Sequence, residues 1–199
     1  MSRKKKKQRF TELGTFNNVI QPGFEEVFRK PFRLRGKWST EYFGNDNPVI
    51  LELGCGKGEY TTGLAQKFPG CNYIGIDIKG ARIWSGAKQA VENGLKNVAF
   101  IRTRIEFIDS FFGQDEISAI WLTFPDPQEK ERRTKKRLTS SRFLAMYSTF
   151  LRHDGVIHLK TDSTVLYRYT KGIILKNRLE LIEANEDIYN SRMKDNTPA

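Results

Sequence analysis

One carboxylate in the chain lies between two prolines. Asp126 belongs to Pro125-Asp126-Pro127, directly after the apolar run at 117–123. A proline ring fixes φ and has no N–H donor, so this turn should be stiff and should hold the carboxylate in one direction. Six of the eight residues at 130–137 are Lys or Arg, which suits contact with phosphates at the mouth of a pocket. The alternative, from these residues alone, is a rigid turn without chemistry.

A glycine-rich loop follows the first long apolar run and reads ELGCGKGE at 52–59. Glycines let a ligand approach the backbone closely. The third glycine comes one residue too early for the dinucleotide fingerprint G-x-G-x-x-G. Glu52, at the end of the strand, suits a ligand with a cationic amino or sulfonium group better than a pyrophosphate. Asp77 ends the next strand, where a carboxylate can accept hydrogen bonds from both hydroxyls of a ribose. The alternative is a tight turn between a strand and a helix.

Short apolar runs alternate with amphipathic stretches from Pro48 onward. The pattern predicts strands at 49–53, 73–78, 98–102, 117–123, 155–161 and 179–184, and helices at 59–68, 81–93, 105–112, 140–151 and 163–176. This alternation is typical of an α/β fold, in which a largely parallel sheet carries helices on both faces. Ligands of such sheets bind at the carboxyl ends of the strands. Residues 10–47 mix aromatic and basic side chains and predict an irregular N-terminal extension.

The net charge is concentrated in two segments. The 199 residues carry a formal charge of +11, of which 3–9 contribute +6 and 130–137 contribute +5. Two basic segments on a neutral body predict a polyanionic partner, nucleic acid before an anionic membrane surface. The alternative is a solvated tail and a solvated loop, because runs of like charge are usually disordered.

The composition excludes several classes of protein. The two cysteines, Cys55 and Cys71, are too few for a disulfide framework, and no Cys/His cluster has zinc spacing, so we expect no metal. No apolar run approaches membrane-spanning length, and the basic N-terminus leads into no signal-like apolar region. We therefore expect a cytoplasmic protein without a membrane partner. His153 and His158 are expected to be packing residues rather than catalysts.

Several motifs resemble those of a known family. The pattern E-x-G-x-G-x-G followed by a strand-terminal acid resembles the first two motifs of Rossmann-like class I methyltransferases. The segment 125–137 is similar to the P-D-P-W-x-K-x-R-H-x-K-R-R motif of bacterial tRNA (guanine-N7-)-methyltransferases, which modify guanine-46 in the variable loop of tRNA. Segments 36–38, 43–48, 73–77 and 158–162 also match that family in order. The resemblance implies a Rossmann-like class I methyltransferase fold, S-adenosyl-L-methionine as the cofactor and tRNA as the partner.

The resemblance also implies roles for single residues. For the cofactor, it implies contacts of the methionine moiety, the ribose and the adenine with Glu52, Gly54, Gly56, Asp77, Arg104 and Asp126. Asp126 is also the candidate catalytic residue, and it is expected to position groups rather than to accept a proton. With Asp162 it would hold the guanine or fix the methionine end of the cofactor. The remaining substrate contacts are expected from Lys130, Arg132, Lys135, Lys136 and Arg137.

The sequence departs from the family pattern at several places. Gln128 replaces the usual Trp, Arg133 the usual His, and Arg104 stands where an Asp or Asn is usual beside the adenine. The chain ends without the T-x-Y-E segment and without the seventh strand of the class. We therefore expect a C-terminally truncated chain with two parts, a basic tail and irregular extension at 1–47 and the methyltransferase domain at 48–199.

Two other functions stay open at this stage. One is a non-catalytic RNA-binding module with a vestigial cofactor pocket. The other is a methyltransferase acting on a substrate other than RNA, which would not need the basic residues at 130–137. For the oligomeric state we expect a monomer or a weak homo-oligomer.

Overall fold

A computed structural model describes the backbone of residues 3–186 and the side chains of residues 7–186. The helices are α1 (Arg3–Leu13), α2 (Phe24–Val27), α3 (Glu59–Lys67), α4 (Gly80–Glu92), α5 (Ser141–Tyr147) and α6 (Thr164–Lys176). A π-helix spans Trp38–Phe43, and two 3₁₀ helices span Ile105–Ser110 and Glu131–Lys136. The strands are β1 (Val19–Ile20), β2 (Val49–Leu53), β3 (Asn72–Asp77), β4 (Val98–Arg102), β5 (Ile117–Thr123) and β6 (Leu151–Lys160).

All six strands form one parallel sheet in the order β1-β4-β3-β2-β5-β6. Side chains of successive residues in a strand point to opposite faces. Accordingly, Leu51 and Leu53 of β2 belong to one buried cluster, and Ile50 belongs to another. The second cluster includes residues of α3 and α4, and the first includes residues of α5 and of the 3₁₀ helix at 105–110. The predicted α/β fold with helices on both faces is confirmed.

Most predicted elements lie within one or two residues of the observed ones. The strands at 49–53, 98–102 and 117–123 have the predicted bounds, while the fifth predicted strand begins at Leu151 rather than at 155. The helix predicted at 140–151 ends at Tyr147, because the chain turns at 148–150 to enter β6.

The strand predicted at 179–184 is wrong. These residues form neither helix nor strand, and Leu179, Leu181 and Ile182 are exposed. A strand is stable only where neighbouring backbone groups complete its hydrogen bonds. Within residues 3–186, the sheet order ends at β6, and this segment pairs with no strand of the sheet.

The N-terminal extension is more regular than predicted. It contains α1, β1, α2 and the π-helix, and β1 pairs with β4 at the edge of the sheet. Leu13 and Trp38 are fully buried. The basic run at 3–9, for which a solvated tail was the alternative, lies within α1, which packs on α4. The division of the chain at residue 47 stays a prediction.

One carboxylate fastens this extension to the rest of the chain. Glu116 accepts hydrogen bonds from the backbone N–H groups of Gly36 (2.7 Å), Trp38 (2.8 Å) and Gly113 (2.7 Å). The indole Nε1 of Trp38 donates to the carbonyl oxygen of Phe111 at 2.8 Å. The extension and the loop before β5 are therefore joined by charge-assisted hydrogen bonds across the edge of the core.

Candidate active site at the carboxyl ends of the strands

The glycine-rich loop leaves β2 with three residues in the left-handed region. Gly54, Gly56 and Gly58 have φ values of 79°, 59° and 74°. At Gly58 a Cβ atom would lie 2.5 Å from the ring of Phe100, so any other residue would push α3 away from the sheet. At Gly54, by contrast, a Cβ atom would meet nothing within 4 Å. Open space therefore borders the loop at Gly54, and the third glycine serves the packing of helix on strand.

Asp77 fixes this loop from the end of β3. Its Oδ2 accepts a hydrogen bond from Gly56 N at 3.0 Å, and its Oδ1 accepts one from Lys79 N at 2.7 Å. The side chain is 9% exposed. A carboxylate has about four lone-pair sites, so these two bonds leave acceptor capacity for the hydroxyl groups of a ligand.

Glu52 lies deeper than the sequence suggested. It is 5% exposed and accepts hydrogen bonds from the hydroxyl of Thr123 and from both the hydroxyl and the N–H of Thr61. Burial is the main cause that raises the pKa of Glu52, and these hydrogen bonds oppose it. Glu52 thereby links the first turn of α3 to the end of β5, and places a buried carboxyl group beneath the glycine-rich loop.

A pocket of about 170 Å³ lies beyond Asp77, at the ends of β3 and β4. Its walls include Ile78, Arg104, Phe107 and Phe24. Arg104 is exposed, and its Nε lies 3.8 Å from a carboxylate oxygen of Glu106. The pocket is apolar on its aromatic side and carries guanidinium groups at its rim, which suits a flat heterocycle.

Asp126 is exposed and lies in the turn that directly follows β5. Its Oδ1 accepts a hydrogen bond from Gln128 N at 2.9 Å. Phe124 and Gln128, on either side, have positive φ values of 46° and 47°, which are uncommon for residues other than glycine. Phe124 N also donates to the carbonyl oxygen of Lys160 at 2.7 Å, which ties the turn to β6.

Residues 130–137, hereafter the basic segment, contain the 3₁₀ helix Glu131–Lys136. Four of the predicted substrate contacts, Lys130, Arg132, Lys135 and Lys136, are exposed there. Arg137 is not. It is 5% exposed and donates to the carbonyl oxygens of Pro127 (Nε, 2.9 Å) and Gln128 (Nη2, 3.2 Å). The structure corrects the prediction of a surface phosphate contact for Arg137, since this guanidinium is directed inward.

Asp162 is exposed two residues after the end of β6, next to the β5 turn. An aromatic group that the sequence did not predict lies on the same side of the sheet. Trp121 of β5 stacks on His158 of β6 with ring centroids 4.1 Å apart, and Tyr60 lies 5.2 Å from Trp121. His158 thus packs on Trp121, as predicted, whereas His153 is exposed and the packing role predicted for it is wrong. The alternation of side chains along β5 and β6 indicated which residues share a face of the sheet. Which rings lie opposite each other depends on the register of the two strands, which the sequence pattern does not give.

The ammonium group of Lys160 completes the edge of this aromatic group. Its Nζ lies 5.8 Å from the ring centroid of Phe124 and 5.9 Å from that of Tyr60. Phe124 is 53% exposed, although large aromatic side chains are usually buried. An exposed aromatic ring with a cation beside it suits stacking of a nucleobase.

No group of three or more His, Cys, Asp or Glu side chains suited to a metal ion occurs within the described residues. The same part of the chain contains no helix that is both long and apolar enough to cross a membrane.

Comparison with solved structures supports the fold class. The chain matches an antibiotic-related methyltransferase with a TM-score of 0.50 and 21% identity, over 63% of each chain. It matches a ribosomal protein L11 methylase from Lactobacillus delbrueckii subsp. bulgaricus with a TM-score of 0.50 and 14% identity, over 66% of this chain and 60% of the other. The parallel sheet and its glycine-rich loop thus have the Rossmann-like fold of the class I methyltransferases.

Sequence comparison is more specific. A family model described as "Putative methyltransferase" matches residues 46–197. The tRNA (guanine-N(7)-)-methyltransferase of Christiangramia forsetii is 56% identical over 95% of this chain and 84% of its own length. The proteins of that name from Bacteroides thetaiotaomicron and Porphyromonas gingivalis are 48% and 50% identical, over 96% and 92% of this chain and 75% of each relative. The chain belongs to the tRNA (guanine-N(7)-)-methyltransferase family.

Proposed function

We propose that the protein transfers a methyl group from S-adenosyl-L-methionine to N7 of a guanine in tRNA, at position 46 of the variable loop. The observation that carries this proposal is the 56% identity to a relative of that activity over 95% of the chain. The geometry supports it, since the glycine-rich loop, Asp77 and Asp126 all lie at the carboxyl ends of the strands, beside an exposed basic segment.

The residues present fit the cofactor. Open space borders Gly54, where a side chain would otherwise project. Gly54 N already donates to the carbonyl oxygen of Ile76 at 2.8 Å. The backbone group of Gly54 that can contact the amino group of the cofactor is therefore its carbonyl oxygen. Asp77 retains acceptor capacity for the ribose hydroxyls. The pocket beyond it, with Ile78 and Arg104 in its walls, receives the adenine.

Two features define the surroundings of the methionine end of the cofactor, one by charge and one by rigidity. Glu52 lies beneath the loop, where an ionised carboxylate attracts a cationic amino or sulfonium group. Gly56 N is bonded to Asp77, so the loop and the ribose contact share one rigid unit. Glu52 acts on the cofactor through charge and through the position of α3, because its own oxygens are bonded to Thr61 and Thr123.

The bound cofactor supplies an electrophilic methyl group on its sulfonium. Guanine N7 is an acceptor without a proton, so the protein needs no general base and works by orientation and charge placement. Asp126 and Asp162 hold the guanine through its N1–H and N2–H donors, which turns N7 toward the methyl group, or fix the methionine end of the cofactor. Lys130 lies near the substrate.

Phosphates of tRNA lie along the basic segment. Lys130, Arg132, Lys135 and Lys136 are exposed and clustered within seven positions of the chain, so each neutralised phosphate adds affinity that falls with salt. The basic run at 3–9, at the start of α1, adds affinity for tRNA that does not depend on the nucleotide sequence. We also assign the protein to the cytoplasm, as a monomer or a weak homo-oligomer.

Transfer of labelled methyl from S-adenosyl-L-methionine to unmodified tRNA, followed by nuclease digestion, tests the proposal. The label is expected in 7-methylguanine, and a tRNA with adenine in place of guanine-46 should accept none. Label in another base would overturn the substrate assignment. Binding of tRNA without any transfer would favour a non-catalytic RNA-binding module, and turnover that is insensitive to salt and to tRNA would favour a different substrate.

A further inference from the structure

Arg137, the last residue of the basic segment, directs its charged group into the protein rather than into solvent. Arg137 is 5% exposed, whereas its neighbours Lys135 and Lys136 are exposed. Its Nε and Nη2 donate to the carbonyl oxygens of Pro127 and Gln128, 2.9 Å and 3.2 Å away. The guanidinium carbon lies 4.3 Å from the ring centroid of Tyr169 on α6. Hydrogen bonds, burial and a stacking face therefore all fix this one side chain.

The backbone that Arg137 holds belongs to the turn of Asp126. Gln128 has a φ of 47°, a conformation that costs energy for a residue with a Cβ and persists only where surrounding contacts fix it. Gln128 N donates to Asp126 Oδ1 at 2.9 Å, and Gln128 O accepts from Arg137. The N–H group of Gln128 thus binds the carboxylate of Asp126, and the carbonyl oxygen of Gln128 binds the guanidinium of Arg137.

We propose that Arg137 is a positioning residue, which holds the turn 125–128 so that Asp126 keeps the direction that methyl transfer requires. The inference rests on the proposed function and deepens it. Lysine cannot replace the residue fully, because only the planar guanidinium offers two N–H groups in fixed directions and a flat face for Tyr169.

The same arrangement connects RNA binding with the reaction. The 3₁₀ helix Glu131–Lys136 begins three residues after Gln128 and ends next to Arg137, and Arg137 N donates to the carbonyl oxygen of Thr134 at 3.0 Å. The exposed cations therefore lie on a short loop whose two ends are fastened to each other. A phosphate bound by Lys135 or Lys136 orders a segment that is joined directly to the Asp126 turn.

Three measurements on five variants test the role of Arg137. The variants are Arg137→Gln, Arg137→Lys and Tyr169→Leu, with Lys136→Gln as the phosphate control and Tyr167→Leu as the control for Tyr169→Leu. The measurements are the single-turnover rate of methyl transfer at saturating tRNA and cofactor, the salt slope of tRNA binding, and deuterium exchange of the amides at 124–136 in the free protein. All rates are measured at a temperature well below the unfolding midpoint of each variant, so that unfolding does not contribute to a lower rate.

A positioning residue predicts one pattern and a phosphate ligand another. Arg137→Gln should lower the single-turnover rate by about tenfold or more, speed exchange at 124–136 and leave the salt slope unchanged. Arg137→Lys should lower the rate less. Lys136→Gln should reduce the slope by roughly 0.7–0.9 and leave exchange unchanged. A reduced slope for Arg137→Gln, with rate and exchange as in the wild type, would overturn the proposal.

Tyr169→Leu keeps the inference testable if Arg137→Gln fails to fold. Tyr169 carries no positive charge, so its removal should leave the salt slope of tRNA binding unchanged, yet its ring supports the guanidinium. Its loss should lower the rate and speed exchange at 124–136, whereas Tyr167→Leu, on the same helix under Lys171, should change neither. Wild-type exchange rates in Tyr169→Leu would contradict the inference. Failure of the proposed function would instead appear as wild-type protein that does not methylate tRNA.

Discussion

Trp121 of β5 and His158 of β6 are register partners, and their rings stack at 4.1 Å with planes 12° from parallel. Burial lowers the pKa of His158 below its ordinary value of 6.5. The folded state therefore binds fewer protons at this site than the unfolded state. The stability that the neutral ring contributes is complete above about pH 6.5 and is lost as the pH falls through the folded-state pKa.

His158→Phe should therefore weaken the loss of stability on mild acidification, because phenylalanine keeps the aromatic face and cannot be protonated. Urea unfolding at several pH values between about 5 and 7.5 measures this. His153→Phe is the matched control, since His153 is exposed at the start of the same strand. Parallel pH profiles for wild type and His158→Phe would contradict the assigned burial effect.

Glu52 should show the opposite pH dependence. Burial raises its pKa, so the folded state disfavours the ionised form. The associated stability is complete below the ordinary pKa of 4.5 and is lost as the pH rises through the folded-state value. Glu52→Gln keeps an acceptor for Thr61 and offers a donor to the hydroxyl oxygen of Thr123.

Relative to wild type, Glu52→Gln should become more stable as the pH rises from about 4.5 to 7. Measuring the difference between the two proteins at each pH cancels the contribution of His158. Glu92→Gln, on the exposed end of α4, is the control. A pH-independent difference would mean that Glu52 titrates normally in the fold.

Asp126→Asn should cut turnover by roughly 10²-fold while leaving tRNA affinity nearly intact. The amide keeps the shape of the side chain but changes which groups it can accept from, so the guanine or the cofactor loses its orientation. Turnover is followed by methyl transfer, and affinity by filter binding. Asp154→Asn, in an exposed ion pair with Arg152, is the control. Unchanged turnover would end the assignment of Asp126.

Replacing Lys135 and Lys136 together by Gln should flatten the dependence of tRNA affinity on salt. Each lost phosphate contact reduces the slope of log K against log salt by roughly 0.7–0.9. Lys67→Gln with Lys96→Gln removes the same charge at the opposite, amino ends of the strands, where both lysines are exposed. Equal slopes for the two double variants would show that the total charge of the protein, rather than the basic segment, attracts tRNA.

Glu116→Ala should destabilise the protein by about 2–4 kcal/mol, because three backbone N–H groups lose a charged acceptor. Urea unfolding gives the loss directly. Glu92→Ala removes an exposed carboxylate whose ion pair with Lys88 spans 3.8 Å, and should cost less than about 1 kcal/mol. Equal effects of the two substitutions would mean that the extension contributes little to the fold.

The sequence predicted what depends on local pattern. Alternating apolar runs located β2, β4 and β5 to the residue, and they placed the loop at 52–59 and Asp77 at the carboxyl ends of strands, where ligands of such sheets bind. The sequence did not predict the features that depend on contacts between residues far apart in the chain. The segment 179–184 has the composition of a strand but pairs with no strand in the described chain, and the extension is ordered through Glu116 and β4. Arg137 has the same chemistry as its neighbours, and only the carbonyl groups of Pro127 and Gln128 distinguish it.

The fastening of the extension by Glu116 also limits the order of events during synthesis. Trp38 leaves the ribosome first, and the carboxylate that holds it follows 78 residues later. At about 5–20 residues per second, that separation takes roughly 4–16 seconds. β1 must wait in the same way for β4. The N-terminal extension is thus made before the residues that hold it, and it cannot reach its final place until β4 and Glu116 have emerged.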